Sequence, residues 1–205
     1  MYRKKLFKEK RMKKPGFGFV LVFGFFTVIL GITGCEKDSV ISQERAVNGF
    51  NGIGLAGIGN VNVYPGANYR VVVTTDSNLQ DRVLTTVNGN TLNITQRPGP
   101  FNAEELKIDV YLPELTNISL NGAGNFTINN GSASALTLSI SGAGNINAQN
   151  YQVQNVFIAH SGIGDVRVWA TNSLNGTLSG IGNIRYRGNP TININKTGLG
   201  NINPL

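Results

Sequence analysis

Six copies of one five-residue phrase constrain how this 205-residue chain folds: glycine, a small or apolar residue, glycine, asparagine or aspartate, then an apolar residue. They read Gly57-Ile58-Gly59-Asn60-Val61, Gly122-Ala123-Gly124-Asn125-Phe126, Gly142-Ala143-Gly144-Asn145-Ile146, Gly162-Ile163-Gly164-Asp165-Val166, Gly180-Ile181-Gly182-Asn183-Ile184 and Gly198-Leu199-Gly200-Asn201-Ile202. The last five recur at intervals of 20, 20, 18 and 18 residues. A near-constant period of this size marks coils that cannot bury an apolar face singly and must stack on their neighbours.

Glycine reaches positive φ without a side-chain clash, and asparagine or aspartate tolerates the left-handed region better than most residues. Each phrase is therefore expected to be a sharp corner. After each corner the sequence alternates with period two, as in Val166-Arg167-Val168-Trp169 and Ile184-Arg185-Tyr186-Arg187, the pattern of a half-buried strand. A second strand follows in each coil, as in Ala135 to Ile140 and Asn155 to Ala159. The expected fold is all-β, a single-domain parallel β-helix or solenoid, with Asn125, Asn145, Asp165, Asn183 and Asn201 in a hydrogen-bonded ladder at the corners.

Residues 1 to 14 hold eight lysines and arginines against one acid, Glu9, and an apolar run from Phe17 to Leu30 leads to Ile32-Thr33-Gly34-Cys35. A basic head, an apolar middle and a small-residue exit predict a signal peptide over residues 1–34. A transmembrane helix is the alternative, but glycines at 18, 24 and 31 interrupt the run. Ile-Thr-Gly-Cys resembles the lipobox of bacterial lipoproteins, which makes Cys35, the single cysteine, the expected lipidation site. Residues 35–46 then form the lipidated cysteine and a polar tether, and residues 47–205 the folded domain. The acidic cluster after Cys35 resembles the surface-export signal of some Bacteroidetes lipoproteins. The expected location is outside the cell, lipid-anchored to the outer membrane and surface-exposed.

That division changes the meaning of the net charge of +7. Taking the leader's eight basic residues from 18 and its one acid from 11 leaves ten of each sign, so the mature chain is neutral. The basic stretch that nucleic-acid binding would use is expected to be cut away with the leader.

From Val47 to Ser119 the sequence is β-rich but less regular. Strands are expected at Asn60 to Tyr64, at Tyr69 to Thr75, at Val83 to Val87 joined through Asn88-Gly89 to Leu92 to Thr95, and at Leu106 to Leu112. Asn-Gly between alternating segments is a strong hairpin signal. Asn78 to Arg82 is expected to form one helical turn, and the whole half to open the solenoid with a hairpin excursion.

Phe50-Asn51-Gly52-Ile53, the strand from Tyr69 through Asp76 to Leu79, Asn88-Gly89-Asn90-Thr91-Leu92-Asn93-Ile94 and the repeated Gly-x-Gly-Asn phrases together resemble the GIN-domain family, over about residues 46 to 205. The resemblance implies a right-handed parallel β-helix and the role of an auto-transporter adhesin head. It supplies no catalytic residues.

Several chemistries can be weighed on their residues. Gly52-Ile53-Gly54-Leu55-Ala56-Gly57 matches the dinucleotide fingerprint, with Asp76 further on, but that motif needs a helix directly after it and Ile58 to Gly66 reads as a strand and turn. Glycoside hydrolysis generally needs paired carboxyls, and from Leu115 onward Asp165 is the one acid. His160, the single histidine, is expected at the surface or an edge, and His160, Ser161 and Asp165 are too close on one corner to converge as a triad. Asparagine at five of six corners lacks the anionic ligands calcium prefers, with Asp165 the one exception. No catalytic residue, metal ligand or cofactor is assigned.

Aligning Gly162 with Gly180 sets Arg167 over Arg185 and Trp169 over Arg187 on the outward parity, with Tyr64 further along the column. Exposed aromatic and guanidinium groups suit contact with a glycan or a protein surface. An ordinary solvated face is the plain alternative. The last coil is an exposed sheet edge, expected to be covered by the hairpin region or paired with a second chain through the solenoid ends. The sequence thus reads as an envelope lipoprotein with an adhesin-like binding head, the alternatives being a structural protein built by stacking solenoids and, less favoured, a polysaccharide-active enzyme.

Overall fold

The computed structural model describes residues 39–205, which lie in one compact unit, Lys37–Leu205. The signal peptide and Cys35 lie outside the described residues. The chain is all-β: β1 (Val40–Arg45), β2 (Gly52–Leu55), β3 (Ile58–Pro65) and β4 (Arg70–Asp76) lead into a 3-10 helix, Ser77–Arg82. The hairpin β5 (Val83–Asn88) and β6 (Thr91–Gln96) follows, then β7 (Leu106–Leu112), β8 (Asn117–Leu120), β9 (Ala123–Ile128) and β10 (Gly131–Ile140). The regular half contains β11 (Ile146–His160), β12 (Val166–Leu178), β13 (Ile184–Arg187), β14 (Thr191–Lys196) and β15 (Ile202–Pro204).

All fifteen strands join one mixed sheet. One parallel ladder runs β6, β2, β8, β10, β11, β12, β14. A second runs β7, β3, β9, β11, β12, β13, β15, so the long strands β11 and β12 belong to both. Antiparallel strands close the N-terminal end of each ladder: β5 on β6, and β4 on β7 with β1 outermost. Alternate side chains of both ladders point into one apolar core, from Phe50 and Ile53 through Phe126, Leu138 and Ile158 to Ile184. The 20-to-18 change of period is located: seven residue steps from Ala148 to Asn155 face five from Val168 to Ser173.

The corners explain the glycines by proximity as well as by dihedral angle. A methyl group on Gly142 would run into the carbonyl of Gly122, and one on Gly144 into the carbonyl of Gly124. Gly144 also has φ +145°, which a side chain disfavours. The expectation for the amides needs correction. Among the described residues no non-glycine residue has positive φ, so the corner asparagines do not use the left-handed region. They bond upward instead. Asn125 donates to Asn60, Asn145 to Asn125 Oδ1 through its backbone and side-chain N–H groups (3.1 and 3.0 Å), and Asp165 N to Asn145 Oδ1 (2.9 Å). Asn183 donates twice to Asp165 Oδ1 (2.8 and 3.1 Å) and Asn201 N to Asn183 Oδ1 (3.1 Å).

Three other expectations change. Residues 40–45, read as tether, form β1 on the edge of β4. His160, expected at the surface, is 1% exposed and sits in register between Ile140 and Leu178, where the column is otherwise aliphatic. Its Nε2 donates to the carbonyl of Gly164 across the corner (2.6 Å), which fixes the tautomer. The hairpin does not cover the C-terminal strands: β6 pairs with β2 and β5 with β6 at the far end of the ladder, while among the described residues β14 pairs only with β12 and β15 only with β13.

Candidate functional site

Along each strand after a corner the inward positions are aliphatic and the outward ones polar. In β12 Val166 and Val168 are buried while Arg167 and Trp169 are half-buried on the outer face. Parallel pairing sets Arg167 opposite Arg185 and Trp169 opposite Arg187. The Arg187 guanidinium lies over the Trp169 ring, 4.1 Å from its centroid. A guanidinium stacked on an indole keeps its N–H edges free and is only weakly hydrated, so it is prepared to meet an anion or a ring of hydroxyls.

Like charges directly opposite one another across strands repel. Among the described residues none of Arg167, Arg185 or Arg187 forms a salt bridge. The nearest acid is Asp165. Its carboxyl is held below the usual carboxylate range first by the Asn183 backbone N–H, against some desolvation, and then by the Asn183 amide, Arg167 and Arg185. One carboxylate, already committed to the amide ladder, offsets three guanidinium groups only in part.

Trp169 has a second neighbour that spacing alone does not reveal. The register shift places Gln152 opposite it. Gln152 lines a depression of about 400 Å³ together with Ser132, Ala133, Ser134, Gln154 and Thr171. Hydroxyls and amides offer both donors and acceptors there, and Gln152 joins the depression to the strand position opposite Trp169. Sequence reasoning missed this because the depression is built from the coil turns, where irregular register breaks the period.

Tyr64, expected in the column of Trp169, stacks on Tyr111 with ring centroids 4.5 Å apart and planes 13° from parallel. Arg70 approaches the Tyr111 ring at 5.7 Å and pairs with Glu44. This second stack stands three strands from Trp169, since β3 reaches β12 through β9 and β11.

The other candidates do not assemble. The Gly52 to Gly57 fingerprint is followed by the strand β3 and not by a helix. His160 faces Gly164, Ser161 Oγ donates to Ile140 O (3.3 Å), and Asp165 accepts from Asn183, so the three do not converge. Asp109 pairs with Lys107 (2.9 Å) and accepts from Asn62. Among the described residues no three His, Cys, Asp or Glu gather as for a metal, and no helix is long and apolar enough to cross a membrane.

The arrangement defines an all-β protein with a flat outer face of stacked cations, aromatics and amides. The chain belongs to the GIN-domain family, whose model, described as "Putative auto-transporter adhesin, head GIN domain", matches residues 49–130 and 127–190. Among solved structures, a "putative adhesin" from Bacteroides fragilis is similar at TM-score 0.51 and 24% identity, covering 82% of this chain and 98% of its own. A "putative lipid binding protein" from Parabacteroides distasonis is similar at TM-score 0.43 and 20% identity, covering 81% and 96%. A "putative adhesin" from the same species has TM-score 0.38 and 20% identity, covering 82% and 98%. None of these names denotes an enzyme. None of the curated proteins matches the chain.

Proposed function

We propose that this chain is an envelope lipoprotein, anchored through lipid on Cys35 and displayed at the outer-membrane surface, whose GIN domain binds glycans through the Trp169 face. The adhesin description of the family supports a role in contact. The observation that carries the site is the stack of Arg187 on Trp169, with Arg167 and Arg185 in register and the hydroxyl-lined depression beside it. A glycan bearing carboxylate or sulfate groups fits these donors better than a protein does, because the face has no apolar centre of the kind stable protein interfaces bury. We also read the two ladders as turns of a right-handed parallel β-helix, a reading supported by the parallel pairing of successive coils and by the handedness of β crossovers.

The test is a glycan and matrix-protein array probed with the full chain in detergent. Wild type is expected to bind anionic glycans, and Trp169→Ala with Arg187→Ala to lose at least about tenfold in affinity, on the order of one hot-spot contact. Unchanged binding by the double variant would remove the site. Capture only of matrix proteins would replace the glycan with a protein partner. A second reading, a structural protein that grows by stacking, is favoured by the one-sided pairing of β14 and β15. Polymers that lengthen with concentration would support it.

A further inference from the structure

The side chains of the middle residues of the six corner phrases form a ridge that is largely uncovered among the described residues. Ile58 bridges Ala123, and isolated parallel bridges continue through Ala143, Ile163 and Ile181 to Leu199. The large ones are 45% (Ile58), 58% (Ile163), 51% (Ile181) and 69% (Leu199) exposed. Aliphatic side chains left this open in a straight line mark a contact surface. Exposed serines, Ser141, Ser161 and Ser179, flank it on one side and the amide ladder on the other, and Asp165 is the one charge in those rows after Leu120. A line one side chain wide is far too narrow for a free-standing protein interface, which buries about 800 Å² per partner.

The path of the chain says what the ridge meets. β1 starts at Val40, opposite Asp76, whose carboxylate accepts from Glu104 N (3.0 Å), while Thr75 is opposite Leu106. The side chain of Leu106 in turn lies against Gly59. The start of β1 and the ridge therefore occupy the same edge of the sheet, with β1 and β3 separated only by β4 and β7, about 14 Å at strand spacing. Val40 and Ile41 are themselves exposed, and Ile58 borders an open depression of about 530 Å³ lined also by Asn60, Phe101, Asn102, Glu104 and Leu106. Four residues separate Cys35 from Val40, a reach of at most about 17 Å.

We infer that in the anchored protein this ridge rests on the lipid surface, its aliphatic side chains at the boundary of headgroups and acyl chains and its serine and amide rows among the headgroups. The inference depends on the lipid anchor proposed above. Contacts too weak to recruit a free protein suffice once a tether holds them within a few nanometres, because the second contact is then intramolecular. The geometry also serves the ligand face. Trp169 lies three residues into β12, about 10 Å along the strand from the corner that carries Ile163, so a body lying on its corners holds that face clear of the membrane.

The experiment uses the full lipidated chain in native membranes, in vesicles of phosphatidylethanolamine and phosphatidylglycerol, and in detergent. Ile181→Cys places a thiol on the ridge and Gln154→Cys one on the opposite turn, and each is modified by a membrane-impermeant polymer maleimide. Ile181→Cys is expected to react about tenfold more slowly in vesicles than in detergent, with Gln154→Cys unchanged, as for an intramolecular contact of modest strength. Adding Ile58→Asp and Leu199→Asp is expected to restore the rate. Circular dichroism confirms that each variant is folded, and mass spectrometry reads the lipid on Cys35. Equal rates with Cys35 lipidated overturn the ridge contact alone. An unmodified Cys35 sinks the anchor and this inference together. Protection in native membranes that is absent from vesicles assigns the ridge to a protein and overturns the lipid contact.

Discussion

Asp165 is the residue at which the amide ladder carries charge. Its Oδ1 takes two N–H groups from Asn183, and this hydrogen bonding lowers its pKa in the folded protein more than desolvation raises it. A carboxyl whose folded pKa lies below its unfolded value contributes stability above the unfolded pKa, near 4, and loses it as pH falls through the folded value. The side chain is largely solvated, so the effect is small. The melting temperature is expected to fall more steeply below about pH 4 in the wild type than in Asp165→Asn, which makes every corner an amide. Parallel melting curves from pH 7 to pH 2.5 would show that Asp165 takes no part in that fall. His160 shows the limit of residue-level reading. Its neighbours in sequence are a strand and a corner, so exposure was the natural expectation, yet the column it shares with Ile140 and Leu178 decides its burial.

At the scale of elements, β1 was illegible in the sequence because its residues are exposed or half-buried on both faces, so no period-two signal marks it. Backbone pairing with β4 and a side-chain clamp hold it. Gln80, buried in the 3-10 helix, donates to Ile41 O (2.8 Å) and Val73 O (3.1 Å), while Arg45 donates to Gln80 O (2.8 Å) and Oε1 (2.9 Å). Burial lowers the Arg45 pKa, and Asp81 opposes that. Arg45→Ala is expected to destabilise the fold by about 1–3 kcal/mol, since it strips a charged donor from a buried amide. An unchanged urea midpoint would mean that the Arg45–Gln80 clamp adds nothing to the fold. By contrast the β5–β6 hairpin and the strands of the regular coils were plain, because Asn88-Gly89 and strict alternation each have one structural solution. The antiparallel β4 between β1 and β7 was not, since its valine-rich run suits either strand direction.

For the whole molecule, the β-helix reading proposed above makes the coils close to interchangeable parts, since the corners are alike and the register is parallel. Excising Gly142 to Ser161 removes one 20-residue coil and brings Ser141 to Gly162, which preserves the corner phrase. Stability in such arrays is approximately a sum over neighbouring units. The shortened chain is expected to keep its β-sheet circular dichroism and to melt at a lower temperature. Excising only residues 142–151 leaves half a coil and is expected to abolish the cooperative melt. If both deletions melt alike, the coils are not the units of stability. The parallel register of this half follows the sequence period, whereas the mixed pairing that closes its N-terminal end depends on contacts between distant segments that no local pattern records.

The mismatch between β11 and β12, where seven residue steps face five, bears on how such a chain finds its order. Repeated phrases invite a growing sheet to add the wrong turn next, since each would satisfy the same corner bonds. Among the five regular corners only one junction joins a 20-residue turn to an 18-residue one, so a turn of the wrong length placed there would break the seven-to-five match. The irregularity acts as a keyed joint in an otherwise uniform stack.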